Sequence, residues 1–162
     1  MSIRAYRPGD ENGICEIYNY YIKETIVTFE EEPLSTQQMR DRIENYIISY
    51  PWFVCERDGQ IVGYSYANKF HQRAAYRHTV ESTVYVRKGF ERRGIGRALY
   101  EPLIAYLSNH GCHVVLAVIA LPNAGSAGLH ESFNFTRVGH FTEVGRKFNQ
   151  WVDVGYWQRR LS

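Results

Sequence analysis

Cysteine is too scarce in this chain to hold it together. The three present in 162 residues, Cys15, Cys55 and Cys112, are odd in number, far apart and without metal-ligand spacing, which excludes a disulfide framework and a zinc ribbon. The opening Met-Ser-Ile-Arg-Ala-Tyr-Arg lacks the apolar stretch of an export signal, so a reduced, cytoplasmic protein is expected. Net charge is sparse as well. Nineteen Lys and Arg against 17 Asp and Glu leave +2, too little for a nucleic-acid partner, which needs a concentrated basic face. With 44% hydrophobic and 22% charged residues the composition is that of neither a disordered nor a membrane-spanning chain. The segment His110-Gly-Cys112-His113 has no second ligand cluster beside it and reads as a helix end, with His110 in the last turn and Gly111 as the stop. No metal is expected, and the absence of linkers, repeats and low-complexity tracts predicts one domain over residues 1–162.

The most informative stretch runs from Val84 to Leu99, Val-Tyr-Val-Arg-Lys-Gly-Phe-Glu-Arg-Arg-Gly-Ile-Gly-Arg-Ala-Leu. An alternating apolar strand passes through a basic, glycine-punctuated turn into a helix. Such a junction offers unpaired N–H groups and the positive end of the helix macrodipole, so it suits a phosphate. Gly94 and Gly96 clear side chains from the approach, and Arg92, Arg93 and Arg97 add charge. A Walker loop would need Lys-Ser/Thr where Arg97-Ala98 stand, and a dinucleotide fingerprint a third glycine at Leu99. Both are excluded. The alternative reading of the glycines is close packing at a helix start.

Periodicity supplies the rest of the frame. A short strand at Ile3–Tyr6 precedes an amphipathic helix from Pro8 to about Lys23, and Ser35-Thr-Gln-Gln38 has capping-box spacing at the start of a second helix that Pro51 ends. Trp52–Glu56 and Ile61–Phe70 flank an Asp58-Gly59 hairpin turn, and His78–Val86 alternates, with Val80, Ser82, Val84 and Val86 on one face and Glu81, Thr83 and Tyr85 on the other. The helix after the glycines contains Pro102, which predicts a kink. Val114–Ala120 is apolar throughout, as for a central strand covered on both faces, and forms with His78–Val86 a right-handed parallel crossover. A short helix near Ser126–Phe133, capped by Asn134, and strands at Phe135–Val144 and Trp151–Leu161 close the chain. The fold class is α/β: one mixed sheet of about seven strands with helices on both faces.

This order of elements, with Glu91-Arg-Arg-Gly-Ile-Gly96 after the fourth strand and Leu121-Pro-Asn123 after the fifth, resembles the GNAT acetyltransferase superfamily. Thr79-Val-Glu-Ser-Thr-Val-Tyr-Val86, Ala117–Asn123, Leu129-His-Glu131 and Trp151–Arg159 are similar to the phosphinothricin, methionine sulfoximine and methionine sulfone N-acetyltransferases. The resemblance implies acetyl-CoA as donor, a small-molecule amine as acceptor and a homodimer. It implies that the parallel pair splays to take the pantetheine arm along Val84, Tyr85 and Val86, that the segment Glu91, Arg92, Arg93, Gly94, Ile95, Gly96 and Arg97 holds the pyrophosphate, and that Asn123 and Ser126 contact the cofactor. Three positions depart from the family pattern: Glu91 replaces Gln or Arg, Asn134 replaces glycine, and His71 replaces lysine.

Acetyl transfer needs a deprotonated amine, a polarised thioester carbonyl and a stabilised thiolate. Glu81, a carboxylate inside a mostly apolar strand, is the candidate general base, directly or through water, against the plainer reading of a sheet-face glutamate reaching solvent or Arg77. His130 stands where many relatives have a tyrosine near the sulfur, placed to donate a proton or to orient Glu81 or a water. A backbone N–H near Val84 or Tyr85 is the candidate carbonyl donor. Arg73 and Tyr76 match positions that contact the acceptor, His71 precedes them, and Phe29 and Glu30 resemble further acceptor-side residues; Arg73's guanidinium fork suits an α-carboxylate. A different acceptor amine, such as another amino acid, a polyamine or an aminoglycoside, and a non-catalytic acyl-CoA-binding module are the alternatives.

Overall fold

The computed structural model describes residues 1–162. Strand β1 (Ser2–Ala5) leads into α1 (Glu11–Glu24), which buries Ile14, Ile17, Tyr18 and Ile22 at helical spacing. The helix starts at Glu11, three residues after the expected Pro8, because Gly9 turns the chain at φ 108°. Ser35 caps α2 (Thr36–Ile47) through both arms of the box: its Oγ accepts from Gln38 N–H at 3.1 Å and its own N–H donates to Gln38 Oε1 at 2.8 Å. Asp58 and Gly59 take φ of 51° and 76°, the pair of positive angles that a two-residue hairpin between β2 (Trp52–Arg57) and β3 (Gln60–Lys69) requires.

A short 3-10 turn at Ala74–Tyr76 precedes β4 (Thr79–Val86); then come α3 (Ile95–Asn109), β5 (Val114–Leu121), α4 (Ala124–Ser132), β6 (Thr136–Lys147) and β7 (Gln150–Arg160). Helix α3 runs past Pro102 as one element. The hairpin β6–β7 is longer than its periodicity suggests, since a bulge between Phe141 and Gly145, with Glu143 at φ 51°, lets pairing resume and reach Lys147.

The seven strands lie in the order β1-β2-β3-β4-β5-β7-β6, with β4–β5 the parallel pair. Helices α1 and α2 cover one face around Trp52, Val54 and Tyr64, and α3 packs on the other around Val80, Val115, Ala117 and Val62. Gly63 makes that second contact possible, because a Cβ there would meet Ile95 and Leu99 at 3.0 Å. One expectation fails at Val118. It is 41% exposed, so β5 is covered on both faces only in part. The reason is the separation of β5 from β4, described next. No helix is long and apolar enough to cross a membrane.

Candidate active site

Strands β4 and β5 pair only from Thr79–Val114 to Glu81–Leu116, although both run on for five residues, to Val86 and Leu121. Beyond that point β4 stays bonded to β3 and β5 to β7, so the sheet opens into a V. Backbone groups facing the gap have no strand partner, which a ligand with amide groups can supply. The gap holds two connected spaces. An inner chamber of about 80 Å³ is lined by Ser82, Tyr100, His130 and the inward faces of Val84 and Ala117–Ala120. An outer cleft of about 420 Å³ is lined by Tyr21, Val84–Val86, Glu91, Arg92 and the first turn of α3. Val27, Asn123 and Ser126 line both.

The outer end is built as an anion cradle. Arg92 and Gly94 both take left-handed backbone, at φ 59° and 77°, and the first backbone bond of α3 is Ala98 N–H to Gly94 C=O at 3.0 Å. The N–H groups of Ile95, Gly96 and Arg97 therefore have no helical partner. Gly94 is required by its angle. Gly96 answers a second demand, since a Cβ would meet Leu129 of α4 at 3.2 Å: the packing reading of this glycine is correct alongside its openness to the cleft. Arg93 stacks on Phe90 and Arg97 lies over Phe133 while pairing with Glu101 at 3.3 Å. Glu91 turns its carboxylate onto its own loop, accepting from Gly89 N–H at 2.8 Å with Lys88 at 3.9 Å. Those contacts hold its pKa below the usual carboxylate range despite opposing desolvation. The negative charge is thus committed to the loop backbone.

Glu81 sits at the apex of the V, the last residue of β4 still in register with β5. It is half-buried on the α1–α2 face, and burial pushes its pKa up against the smaller pull of His71. It is not paired with Arg77, whose guanidinium bonds Ala74 C=O at 3.1 Å. His71 packs between Phe70 and Tyr76, ring centroids at 3.8 and 5.1 Å. Arg73 precedes the 3-10 turn with its guanidinium exposed and unpaired. Phe29 is 41% exposed and Glu30 pairs with Arg42 at 2.7 Å, both in the loop that crosses the cleft beside Val27.

His130 lies on the other face and does not meet Glu81. It is 3% exposed, and its Nδ1 is 2.7 Å from Ser126 C=O, an oxygen that can only accept. Nδ1 therefore carries the proton and Nε2 accepts from the Tyr100 hydroxyl at 2.6 Å. Tyr100 in turn accepts from Ser82 Oγ at 2.9 Å. Burial lowers the imidazole pKa and raises that of the phenol, so both groups are neutral. Sequence reasoning placed Ser82 on the correct face but missed Tyr100, which reads as one more apolar position of α3. Asn123 accepts from Ser126 N–H at 3.1 Å and so caps α4. Tyr21, whose hydroxyl donates to Val86 C=O at 2.5 Å, was also missed as a cleft residue.

Residues 3–155 match the acetyltransferase (GNAT) domain family. Phosphinothricin N-acetyltransferase of Streptomyces viridochromogenes is 40% identical over 98% of this chain and 87% of its own length. The L-methionine sulfoximine/L-methionine sulfone acetyltransferase of Salmonella typhimurium is 33% identical over 100% of this chain and 95% of that protein. The crystal structure of a GNAT superfamily phosphinothricin acetyltransferase from Sinorhizobium meliloti, in complex with acetyl-CoA, superposes with a TM-score of 0.95 at 31% identity, covering 99% of this chain and 88% of that one. With the seven-stranded sheet, its opened parallel pair and the amide cradle at the head of α3, these matches show that the chain belongs to the GNAT acetyltransferases and is an acetyl-CoA-dependent N-acetyltransferase.

Proposed function

We propose that this enzyme, acting as one domain over residues 1–162, acetylates the α-amine of a small amino-acid analogue of the phosphinothricin, methionine sulfoximine or methionine sulfone type, by direct transfer in a ternary complex. The observation that carries this reading is the position of Glu81. It stands where the paired sheet ends and the cleft begins, one residue before Ser82 of the inner chamber and within electrostatic reach of His71. Acetyl-CoA lies in the V with its pyrophosphate on the free N–H groups of Ile95–Arg97 and its pantetheine arm along Val84–Val86. The acceptor approaches from the Glu81 face, its carboxylate on Arg73. Phe29 and Glu30 form the facing wall.

Glu81 takes one proton of the attacking ammonium, the amine nitrogen bonds to the thioester carbon, and the tetrahedral adduct collapses as the C–S bond breaks, the second nitrogen proton passing through water to the departing sulfur to leave the amide and the free thiol. A thiol ionises at about 8.5 and tyrosine at about 10 in water. Burial raises the Tyr100 phenol further, so it is a weaker acid than the thiol and stabilises the departing sulfur by turning its one hydroxyl hydrogen from His130 Nε2 to the sulfur, without surrendering that proton. His130, neutral and buried, acts through Tyr100 by holding that hydroxyl. His71 in place of lysine weakens the grip on a doubly charged phosphinate-bearing acceptor at neutral pH and favours the uncharged sulfoximine and sulfone groups. On the β6–β7 hairpin, turn included, Val138, Phe141, Val144, Phe148 and Trp151 are each more than half exposed, which supports burial of this strip in a homodimer.

The test is thiol release from acetyl-CoA with a panel of methionine sulfoximine, methionine sulfone, phosphinothricin and spermidine. The sulfoximine and sulfone are expected to give the highest kcat/KM. A preference for spermidine would transfer the assignment to the polyamines, and acetyl-CoA binding without release for any amine would remove the catalytic roles given to Glu81 and Tyr100.

A further inference from the structure

Lys147 is a buried cation without a counterion. It is 2% exposed near the end of β6, its Nζ donates to Thr28 C=O at 2.7 Å, and Glu30 and Glu31 attract it only from beyond pairing distance. A buried ammonium is costly unless it is put to use. Two residues earlier, Gly145 is pressed so closely under Phe29 that a Cβ there would collide with the ring.

Both contacts fall on the loop between α1 and α2. That loop is also tied to α1, where the Tyr18 and Thr28 hydroxyls meet at 2.8 Å, and to α2 by the Glu30–Arg42 pair at 2.7 Å. These two ties stay on the β1–β4 side of the molecule. The ties from Lys147 and Gly145 come from 119 and 116 residues away in the chain, since Lys147 reaches Thr28 and Gly145 lies under Phe29, and they belong to the strands beyond the V. The β6–β7 hairpin therefore bridges the two halves of the opened sheet across the cleft mouth.

We propose that Lys147, assisted by the bare backbone of Gly145, is a positioning residue for the acceptor: it fixes the height of the loop over the cleft and so places Phe29 and Glu30. This rests on the reading of Phe29 and Glu30 as the acceptor wall. Lys147 itself reaches no reacting atom.

Lys147→Met keeps the stem and loses the ammonium, Lys147→Arg keeps a donor, and Phe29→Ala tests the wall alone. Steady-state kinetics use methionine sulfoximine, or whichever acceptor of the panel above is turned over faster, together with amide exchange at Val27 and Glu30. Lys147→Met is expected to raise the acceptor KM about tenfold, leave kcat within about threefold and the acetyl-CoA KM unchanged, and speed exchange in the loop, with Lys147→Arg restoring the acceptor KM. Gly145→Ala, which displaces the Phe29 ring, is expected to raise the acceptor KM in the same way and serves if Lys147→Met does not fold. An unchanged acceptor KM in the variants that fold, a fall in kcat with both KM values moving together, or no recovery in Lys147→Arg overturns the proposal. If Phe29→Ala raises the acceptor KM while the Lys147 and Gly145 variants do not, only the positioning role falls; if none does, the acceptor wall falls with it.

Discussion

Replacing Tyr100 by Phe removes one oxygen and strands two partners. Ser82 is 6%, His130 3% and Tyr100 itself 0% exposed, so neither orphan finds bulk water in the closed interior. A buried polar group left unsatisfied costs about 1–3 kcal/mol, which for two gives about 2–6 kcal/mol. The inner chamber beside Ser82 and His130 admits water, and partial compensation reduces this to about 2–4 kcal/mol. For a chain of this size that is a fall in Tm of about 4–15 °C. Ser82→Ala is the control. It deletes the donor to Tyr100 but leaves the phenol bonded to His130, so about 0.5–1.5 kcal/mol is expected. Urea denaturation of the wild type and both variants measures the order, and thiol release measures the second consequence: a kcat about 100-fold lower in Tyr100→Phe at unchanged acetyl-CoA KM. Equal stability losses in the two variants would show that the hydroxyl is not the hub of this network. An unchanged kcat would remove Tyr100 from the reaction and leave it a structural residue.

Glu81→Gln is expected to lower kcat by about 10²–10⁴ without moving the acetyl-CoA KM. The wild-type kcat–pH profile should fall on the acid side through a pKa above the ordinary glutamate value, because burial raises the folded carboxyl, and that limb should be missing from the variant. Gly94→Ala places a Cβ at φ 77°, costs about 1–2 kcal/mol, and is expected to raise the acetyl-CoA KM while the acceptor KM holds; the reverse pattern would relocate the anion cradle. Stability should depend on pH through Glu11. Arg40, the Gly9 N–H and the Tyr6 hydroxyl together outweigh desolvation and bring its pKa from 4.5 to about 2. Because the folded value is depressed, its contribution is complete above the unfolded pKa and is lost as pH falls from roughly 4.5 through 2. Urea melts at stepped pH should show that slope in the wild type and a shallower one in Glu11→Gln.

Local chemistry was the legible part of this chain. The Ser35–Gln38 box, the Asp58-Gly59 turn and the Asn134 cap, at φ 65°, each depend on neighbours within four residues, and their side chains state the backbone they need. The left-handed Gly94 belongs to the same class. Glu81 stood out as a candidate for another reason, since a carboxylate within an apolar alternation is expensive in any fold that buries it, and it is half-buried where the parallel pairing ends. What escaped was assembled across distance. Tyr100 meets Ser82 and His130 from 18 and 30 residues away, and on α3 an aromatic at core spacing carries no sign that its hydroxyl joins two buried polar groups. Lys147 meets Thr28 from 119 residues away, and no neighbour in the sequence marks that lysine as buried. Val118 shows the limit of pattern reading on strands: an apolar run signals that a surface avoids water, and a cleft wall meets that description as well as a core does.

The opening between β4 and β5 divides the sheet into a four-stranded half and a three-stranded half joined along strand backbone only from Thr79–Val114 to Glu81–Leu116. In folding terms this is a seam. The β2–β4 meander and the β6–β7 hairpin form from near neighbours in sequence, whereas the parallel junction requires α3 to be laid down first. A molecule occupying the V mends that seam, and by mass action its concentration becomes part of the folding equilibrium. With acetyl-CoA as the proposed occupant, the supply of donor also governs how firmly the enzyme holds together, and starvation for acetyl-CoA is expected to lower the amount of intact protein as well as its rate.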